Sequence, residues 1–196
     1  MNTPRLLLAG LTLLAASLPL ACRCTDCGET EPTAFQAPQM QLQYIDEPEI
    51  VNFAGQATAI KHLVIPKDQI QAAMGPAIGE VWGAVASQGM QPAGPVFSRH
   101  FGLFPDKWDF EVGLPIAGTL EARGEVQQSE LPAGRVLKAT YTGNYDGLGD
   151  AWGELTTWAE RAGLKGNGTV WESYAYGPES TQDPSEWRTE LFLPLQ

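Results

Sequence analysis

The chain has 196 residues, 43% hydrophobic and 18% charged, which is enough apolar side chain to bury a core. Its 23 acidic and 12 basic residues give a formal net charge of −11. That field repels phosphate backbones and anionic lipid headgroups, and no cluster of Lys or Arg offsets it, so nucleic acid is excluded as an expected partner.

The N-terminus reads as an export signal. Arg5 precedes an apolar run, residues 6–20, broken by Gly10 and by the small residues Ala15, Ala16 and Ser17. The run is shorter than the roughly 20 apolar residues that span a bilayer, so residues 1–21 are expected to be a signal peptide. Leu18-Pro19-Leu20-Ala21-Cys22 resembles a bacterial lipobox, with proline at Pro19 where that motif prefers leucine. The expectation is an exported protein, either periplasmic or held at a bacterial envelope as a lipoprotein through lipidated Cys22. Cys24 and Cys27 can then pair in an oxidising compartment. A metal knuckle at these cysteines lacks a fourth ligand, and neither a metal nor a cofactor is expected. Residues 22–41, rich in Pro, Thr, Gln and Glu, read as a tether, and 42–196 as the folded domain.

That domain repeats itself. Its first unit, about 42–118, carries Gly79-Glu80-Val81-Trp82-Gly83, then Pro95-Val96-Phe97-Ser98-Arg99-His100-Phe101, and ends on Leu114-Pro115-Ile116. Its second unit, about 119–196, carries Gly149-Asp150-Ala151-Trp152-Gly153, then Thr169-Val170-Trp171-Glu172-Ser173-Tyr174-Ala175, and ends on Leu193-Pro194-Leu195. Landmarks of the same type in the same order mark a duplication. In each unit a strand (56–65 and 135–142) precedes a helix. The helical stripes are Ile78, Val81, Trp82 and Val85 in the first unit, and Leu148, Ala151, Trp152, Leu155 and Ala159 in the second. Pro76 stands near the start of the first helix, and Gly89 and Gly163 end the two. Both tryptophans read as core, packed against a sheet. Two further strands follow each helix, joined through 101–109 and 177–185. The fold class expected is α+β: two tandem pseudo-symmetric βαββ units forming one antiparallel sheet, with helices packed on one face and a ligand cleft on the other.

Strand alternation sorts the candidate site. Val170, Glu172 and Tyr174 share one side of the strand, and Trp171 takes the other. Trp171 is expected to face the helices, which sends Glu172 to the open face, the face that in the first unit holds Val96, Ser98 and His100. A carboxylate among apolar and aromatic groups is poorly solvated and attracts a cation or a hydrogen-bond donor. Asn167-Gly168 reads as a turn rather than a glycosylation site. His62 and His100 fall in different strands without a metal-ligating set.

The run Gly134-Arg135-Val136-Leu137-Lys138-Ala139-Thr140-Tyr141-Thr142-Gly143-Asn144-Tyr145-Asp146-Gly147-Leu148, with Trp171-Glu172-Ser173-Tyr174, Asp183-Pro184 and Thr189-Glu190-Leu191-Phe192-Leu193-Pro194-Leu195, resembles the second half of GyrI-like effector-binding domains. Pro95-Val96-Phe97-Ser98-Arg99 and Asp109-Phe110-Glu111-Val112-Gly113-Leu114-Pro115 resemble the first half. The resemblance implies two βαββ units meeting at a ligand cleft, as in effector domains of AraC-type and multidrug-sensing activators. It implies that Glu172 contacts a cationic or polar ligand group, with Tyr145 and Tyr174 as aromatic walls. Tyr141 stands where many members have histidine. The ligand-binding set expected is therefore Glu172, Tyr174, Tyr145, Tyr141, His100, Ser98 and Val170.

The leading functional expectation is an exported, non-enzymatic module that captures an amphipathic aromatic or cationic small molecule. No helix-turn-helix segment precedes the domain, so a transcription factor is not expected. The alternative is a hydrolase of strained electrophilic rings, with Glu172 as general base assisted by Tyr145. A third reading is a structural envelope protein whose cleft has decayed.

Overall fold

A computed structural model describes residues 35–196. The expected signal peptide, lipidation at Cys22, the pairing of Cys24 with Cys27 and most of the tether lie outside those residues. In chain order the elements are β1 (Glu49–Phe53), β2 (Gln56–Pro66), α1 (Ile70–Ser87), β3 (Phe97–Leu103), β4 (Lys107–Pro115), β5 (Val126–Leu131), β6 (Gly134–Thr142), α2 (Leu148–Arg161), β7 (Val170–Tyr176) and β8 (Arg188–Pro194).

The repeated βαββ unit is present as β2-α1-β3-β4 and again as β6-α2-β7-β8. Both helices stop in the same way. Gly89 and Gly163 each take φ of 70°, and the next residue's N–H bonds back to the last turn: Met90 to Val85 O at 3.3 Å, Leu164 to Ala159 O at 2.9 Å. This is the left-handed glycine cap, open to a residue without Cβ. Helix α1 begins earlier than expected, so Pro76 falls inside it rather than near its start.

All eight strands form one antiparallel sheet in the order β1-β6-β8-β7-β3-β4-β2-β5. The pseudo-twofold falls between β7 and β3, where Ser98 pairs with Glu172. Two strands go beyond the expected unit, β1 and β5, and they are exchanged. β1 of the first unit pairs with β6 of the second, and β5 of the second pairs with β2 of the first. Only Ala54 and Gly55 connect β1 to β2, and only Pro132 and Ala133 connect β5 to β6, although each connection joins opposite ends of the sheet order. Links that short force the sheet to curl until its ends meet. There a Cβ on Gly55 would stand 3.3 Å from Ala133.

The curl creates two apolar faces. Outside it lie the helices. Leu137, Ala139, Leu191 and Leu193 of the sheet pack against Ala151, Leu155, Trp158 and Ala159 of α2, and Ala59, Leu114, Ile116 and Val126 pack against Val81, Ala84 and Val85 of α1. Inside it Ile60, Phe97, Leu131, Val136, Trp171 and Phe192 form a separate core. Truncating one of these buried rings to alanine costs about 3–5 kcal/mol.

The two buried helical stripes, Ala77, Val81, Ala84 and Val85 against Ala151, Leu155, Trp158 and Ala159, are offset by 74 residues throughout. That is also the offset between Phe97 and Trp171. The tryptophans, 70 apart, are therefore not equivalent positions. Trp82 is not core: it is 44% exposed, and the stripe beside it consists of smaller side chains. Trp152 is only half-buried.

Candidate ligand-binding site

Strand β7 carries the site. Glu172 is register partner to Leu191 on β8 and to Ser98 on β3, and Leu191 packs in the α2 core. Glu172 therefore faces the helices, the reverse of the expected placement, and Trp171 faces the inside of the curl. The cause is the second core. A large apolar side chain on this strand need not point at a helix, because the curl offers it another dry environment. The candidate site at Glu172 accordingly lies on the helix face, above the two central strands.

Glu172 is 7% exposed, and neutral groups alone satisfy it. Trp152 of α2 donates its indole N–H to Oε1 at 2.6 Å, and Tyr174 donates its hydroxyl to Oε2 at 3.0 Å. Among the described residues no cation pairs with it. Glu111, the other buried carboxylate among the described residues, has Arg99 at 2.8 Å. Buried charges are normally paired, so a carboxylate held only by neutral donors keeps most of its appetite for a positive partner.

The network continues in one direction. Tyr174 spends its proton on Glu172, so its oxygen accepts from Ser98 at 2.8 Å; Ser98 in turn accepts from His100 Nε2 at 3.0 Å. That order fixes His100 as the Nε2–H tautomer. Its Nδ1 is buried with no partner. Burial pushes the His100 pKa below its ordinary 6.5, with the Glu172 charge opposing, so the ring is neutral at pH 7. Phe110 stacks on it at 5.9 Å and Trp108 meets it edge-on at 5.8 Å. Burial and then the Glu172 charge hold the Tyr174 hydroxyl well above its usual pKa, so it stays a donor.

Aromatic walls extend outward from Tyr174. Tyr145, in a 3-10 turn ahead of α2, meets Tyr174 edge-on at 5.5 Å and leans on Trp187 at 4.7 Å. It is 37% exposed, so this wall reaches the surface. Val170, opposite His100 in register, packs against the α2 core beside the acid. The structure thus brings together Glu172, Tyr174, Tyr145, Ser98, His100 and Val170. Tyr141 stands apart: it is buried in the α2 core and gives its hydroxyl to the carbonyl of Asn144 at 2.8 Å. Gly143 and Gly147 crowd that hydroxyl so closely that a Cβ at Gly147 would overlap it. Its alternation with Leu137 and Ala139 on β6 already marks it as core. No set of three or more His, Cys, Asp or Glu side chains that could hold a metal occurs among the described residues.

Residues 46–196 match the family described as the GyrI-like small molecule binding domain. The chain belongs to this family. The fold is shared with the C-terminal domain of EcmrR at TM-score 0.69 and 22% identity, covering 78% of this chain and 98% of that one. In the EcmrR–DNA complex the likeness covers 76% of this chain and 57% of EcmrR, at TM-score 0.68 and 20% identity, so the chain spans little more than half of that protein. A hydrolase from Listeria innocua aligns at TM-score 0.56 and 13% identity, over 76% of this chain and 91% of that one. SAV2435 bound to tetraphenylphosphonium aligns at TM-score 0.53 and 11% identity, over 77% and 94%. No curated protein matches the chain in sequence.

Two residues of this candidate site in the GyrI-like domain escaped sequence reasoning. Trp152 reads as core in the sequence because it falls beside an apolar stripe. The signal that could have found it is the offset of 74, which pairs it with Ile78 and leaves its indole N–H without a counterpart in the first unit. Trp187 follows Asp183-Pro184 in a loop, where no periodicity operates. Its indole donates to Thr181 O at 3.2 Å and holds the ring under Tyr145.

Proposed function

We propose that this GyrI-like domain is a receptor for amphipathic aromatic cations, with Glu172 as the anchor. The observation that carries the reading is a buried carboxylate, bounded by Trp152, Tyr174 and Tyr145, with neutral donors and no counter-ion among the described residues. Aromatic faces attract a cation by about 0.5–2 kcal/mol each, and a desolvated carboxylate adds more. The fold neighbour SAV2435 with tetraphenylphosphonium bound supports this ligand class. The net charge of −11 favours positive ligands at longer range. Export, as a periplasmic protein or a lipoprotein, is part of the same proposal. It rests on residues 1–22, and mass spectrometry of the mature N-terminus tests it.

The test is a titration with tetraphenylphosphonium followed by tryptophan fluorescence, since a ligand that engages Glu172 perturbs the indole bound to it. Glu172→Gln is expected to weaken binding ten- to a hundredfold, about 1.4–2.7 kcal/mol. Equal affinity in the two proteins overturns the reading.

The hydrolytic reading has its own support in the Listeria neighbour, and the geometry changes its cast. Tyr174, not Tyr145, lies within hydrogen-bond distance of Glu172. A general base must hold a free lone pair toward water, and here Trp152 and Tyr174 engage both carboxylate oxygens, which favours binding. Turnover of a strained-ring electrophile by wild type, absent in Glu172→Gln, would instead establish catalysis.

A further inference from the structure

The inside of the curl is not filled. A cavity of about 200 Å³ lies there, on the face of the sheet opposite Glu172. Phe53, Phe97, Trp171, Phe192 and Leu131 wall it. Trp171 and Phe192 stack at 5.2 Å with 13° between their planes, and Phe53 tilts against Trp171 at 5.3 Å, so three rings make a box whose sides hold one another in place. Ala93 and Pro95, both exposed, line the mouth.

Three polar side chains reach this cavity. Gln56 uses its amide nitrogen on the carbonyls of Ala57 and Ile116, at 3.1 and 3.0 Å, which fixes the amide and leaves its oxygen as an acceptor. Ser173 lies between Phe97 and Glu190 in register and offers a hydroxyl. Glu190 is neutralised by Lys138 at 2.8 Å, whose ammonium also sits 5.7 Å from the Phe192 ring centre. The cavity therefore offers flat apolar walls and hydrogen-bond acceptors, and no unpaired charge. An apolar cavity of about 150 Å³ already accommodates benzene. This one is somewhat larger, and it has polar groups to orient an occupant.

We propose that the cavity is a second small-molecule site, for a neutral flat aromatic of one or two rings carrying one hydrogen-bond donor, which Gln56 or Ser173 accepts. It is separate from the cation site: Trp171 and Glu172 are neighbours on β7 and point to opposite faces.

Indole is the probe, titrated into the whole protein and followed by backbone amide NMR. Saturable shifts are expected at Phe97, Trp171 and Phe192. Ser173→Phe fills the cavity and is expected to weaken indole at least tenfold while leaving tetraphenylphosphonium binding unchanged. Glu172→Gln should leave indole binding intact. Leu131→Ala, which enlarges the cavity, is expected to shift preference from indole toward 2-naphthol, and it carries the test if Ser173→Phe does not fold. The proposal is overturned if indole gives no saturable shift up to its solubility limit. Shifts centred on Glu172 and Tyr174, or unchanged indole affinity in the cavity variants, overturn it too. Because the tetraphenylphosphonium titration is read separately, failure of one site does not imply failure of the other.

Discussion

Ser98 and Glu172 face each other across the β3–β7 pair, at the centre of the pseudo-twofold, with a hydroxyl on one side and an acid on the other. Two acids directly opposed would repel and force one to hold a proton. Divergence of the two copies at this pair gives the site a single charge. It also gives a polarity to the hydrogen-bond chain from His100 to Glu172.

Ser98→Ala breaks that chain in the middle. Its hydroxyl bonds His100 and Tyr174, and removing it leaves buried groups unsatisfied. The expected outcome is a loss of about 1–3 kcal/mol in urea unfolding. Tetraphenylphosphonium affinity should change far less than in Glu172→Gln.

Trp152→Phe separates the wall from the donor. The indole N–H occupies Glu172 Oε1 at 2.6 Å and so competes with any ligand for that oxygen. The variant is expected to unfold more easily, by about 1–3 kcal/mol, because the carboxylate loses a partner. Cation binding is expected to tighten, as measured by calorimetry. A weaker complex would show that the indole N–H assists binding.

Trp82→Ala tests the exposed face of α1. Glu80 turns one flank of that helix toward the sheet's β2–β5 edge, where Lys61 bridges it and Glu125 at 2.7 and 3.0 Å. Two residues on, Trp82 stands roughly 200° round the helix, on the opposite flank. The variant is expected to keep its urea midpoint, since the ring is 44% exposed, and a marked drop would show that the ring packs in the core.

The pH dependence follows from His100. Its folded pKa lies below the ordinary 6.5, so below that pH the unfolded chain binds more protons than the folded one. Stability is therefore fully present above about pH 6.5 and is lost as pH falls toward the depressed folded value. Glu111 runs the other way. Burial, opposed by Arg99, raises its pKa above 4.5, so its contribution is present below that pH and lost as pH rises through the folded value. Replacing His100 with Asn should flatten the fall in urea midpoint below pH 6.5, and an unchanged slope would remove His100 from the account.

Six strands and both helices were legible in the sequence because alternation and the 3.6-residue period write themselves into buried elements. The exchanged strands were not. Glu49–Phe53 and Val126–Leu131 are five and six residues long and half polar, and their partners lie in the other unit, so nothing local announces them. The clustering of Glu172, Tyr174, Ser98 and His100 in the candidate site was legible, but not its orientation. Trp171 is as apolar as a helix-facing residue should be, and only the curl, a property of the whole sheet, supplies it with a different interior. Tyr141 was drawn into the site by family likeness, while its place in the α2 core followed from its own strand.

Because β1 and β5 are traded between units, neither half of the duplication owns a complete sheet. A fragment ending near residue 118 has β1 but no β6 to receive it, and it leaves the flank of β2 bare; the remaining fragment has the mirror-image deficit. Neither fragment is a miniature of the whole, yet each carries the strand the other lacks. Co-expressed as separate chains, they should restore the domain by complementation where either alone aggregates through its bare edge.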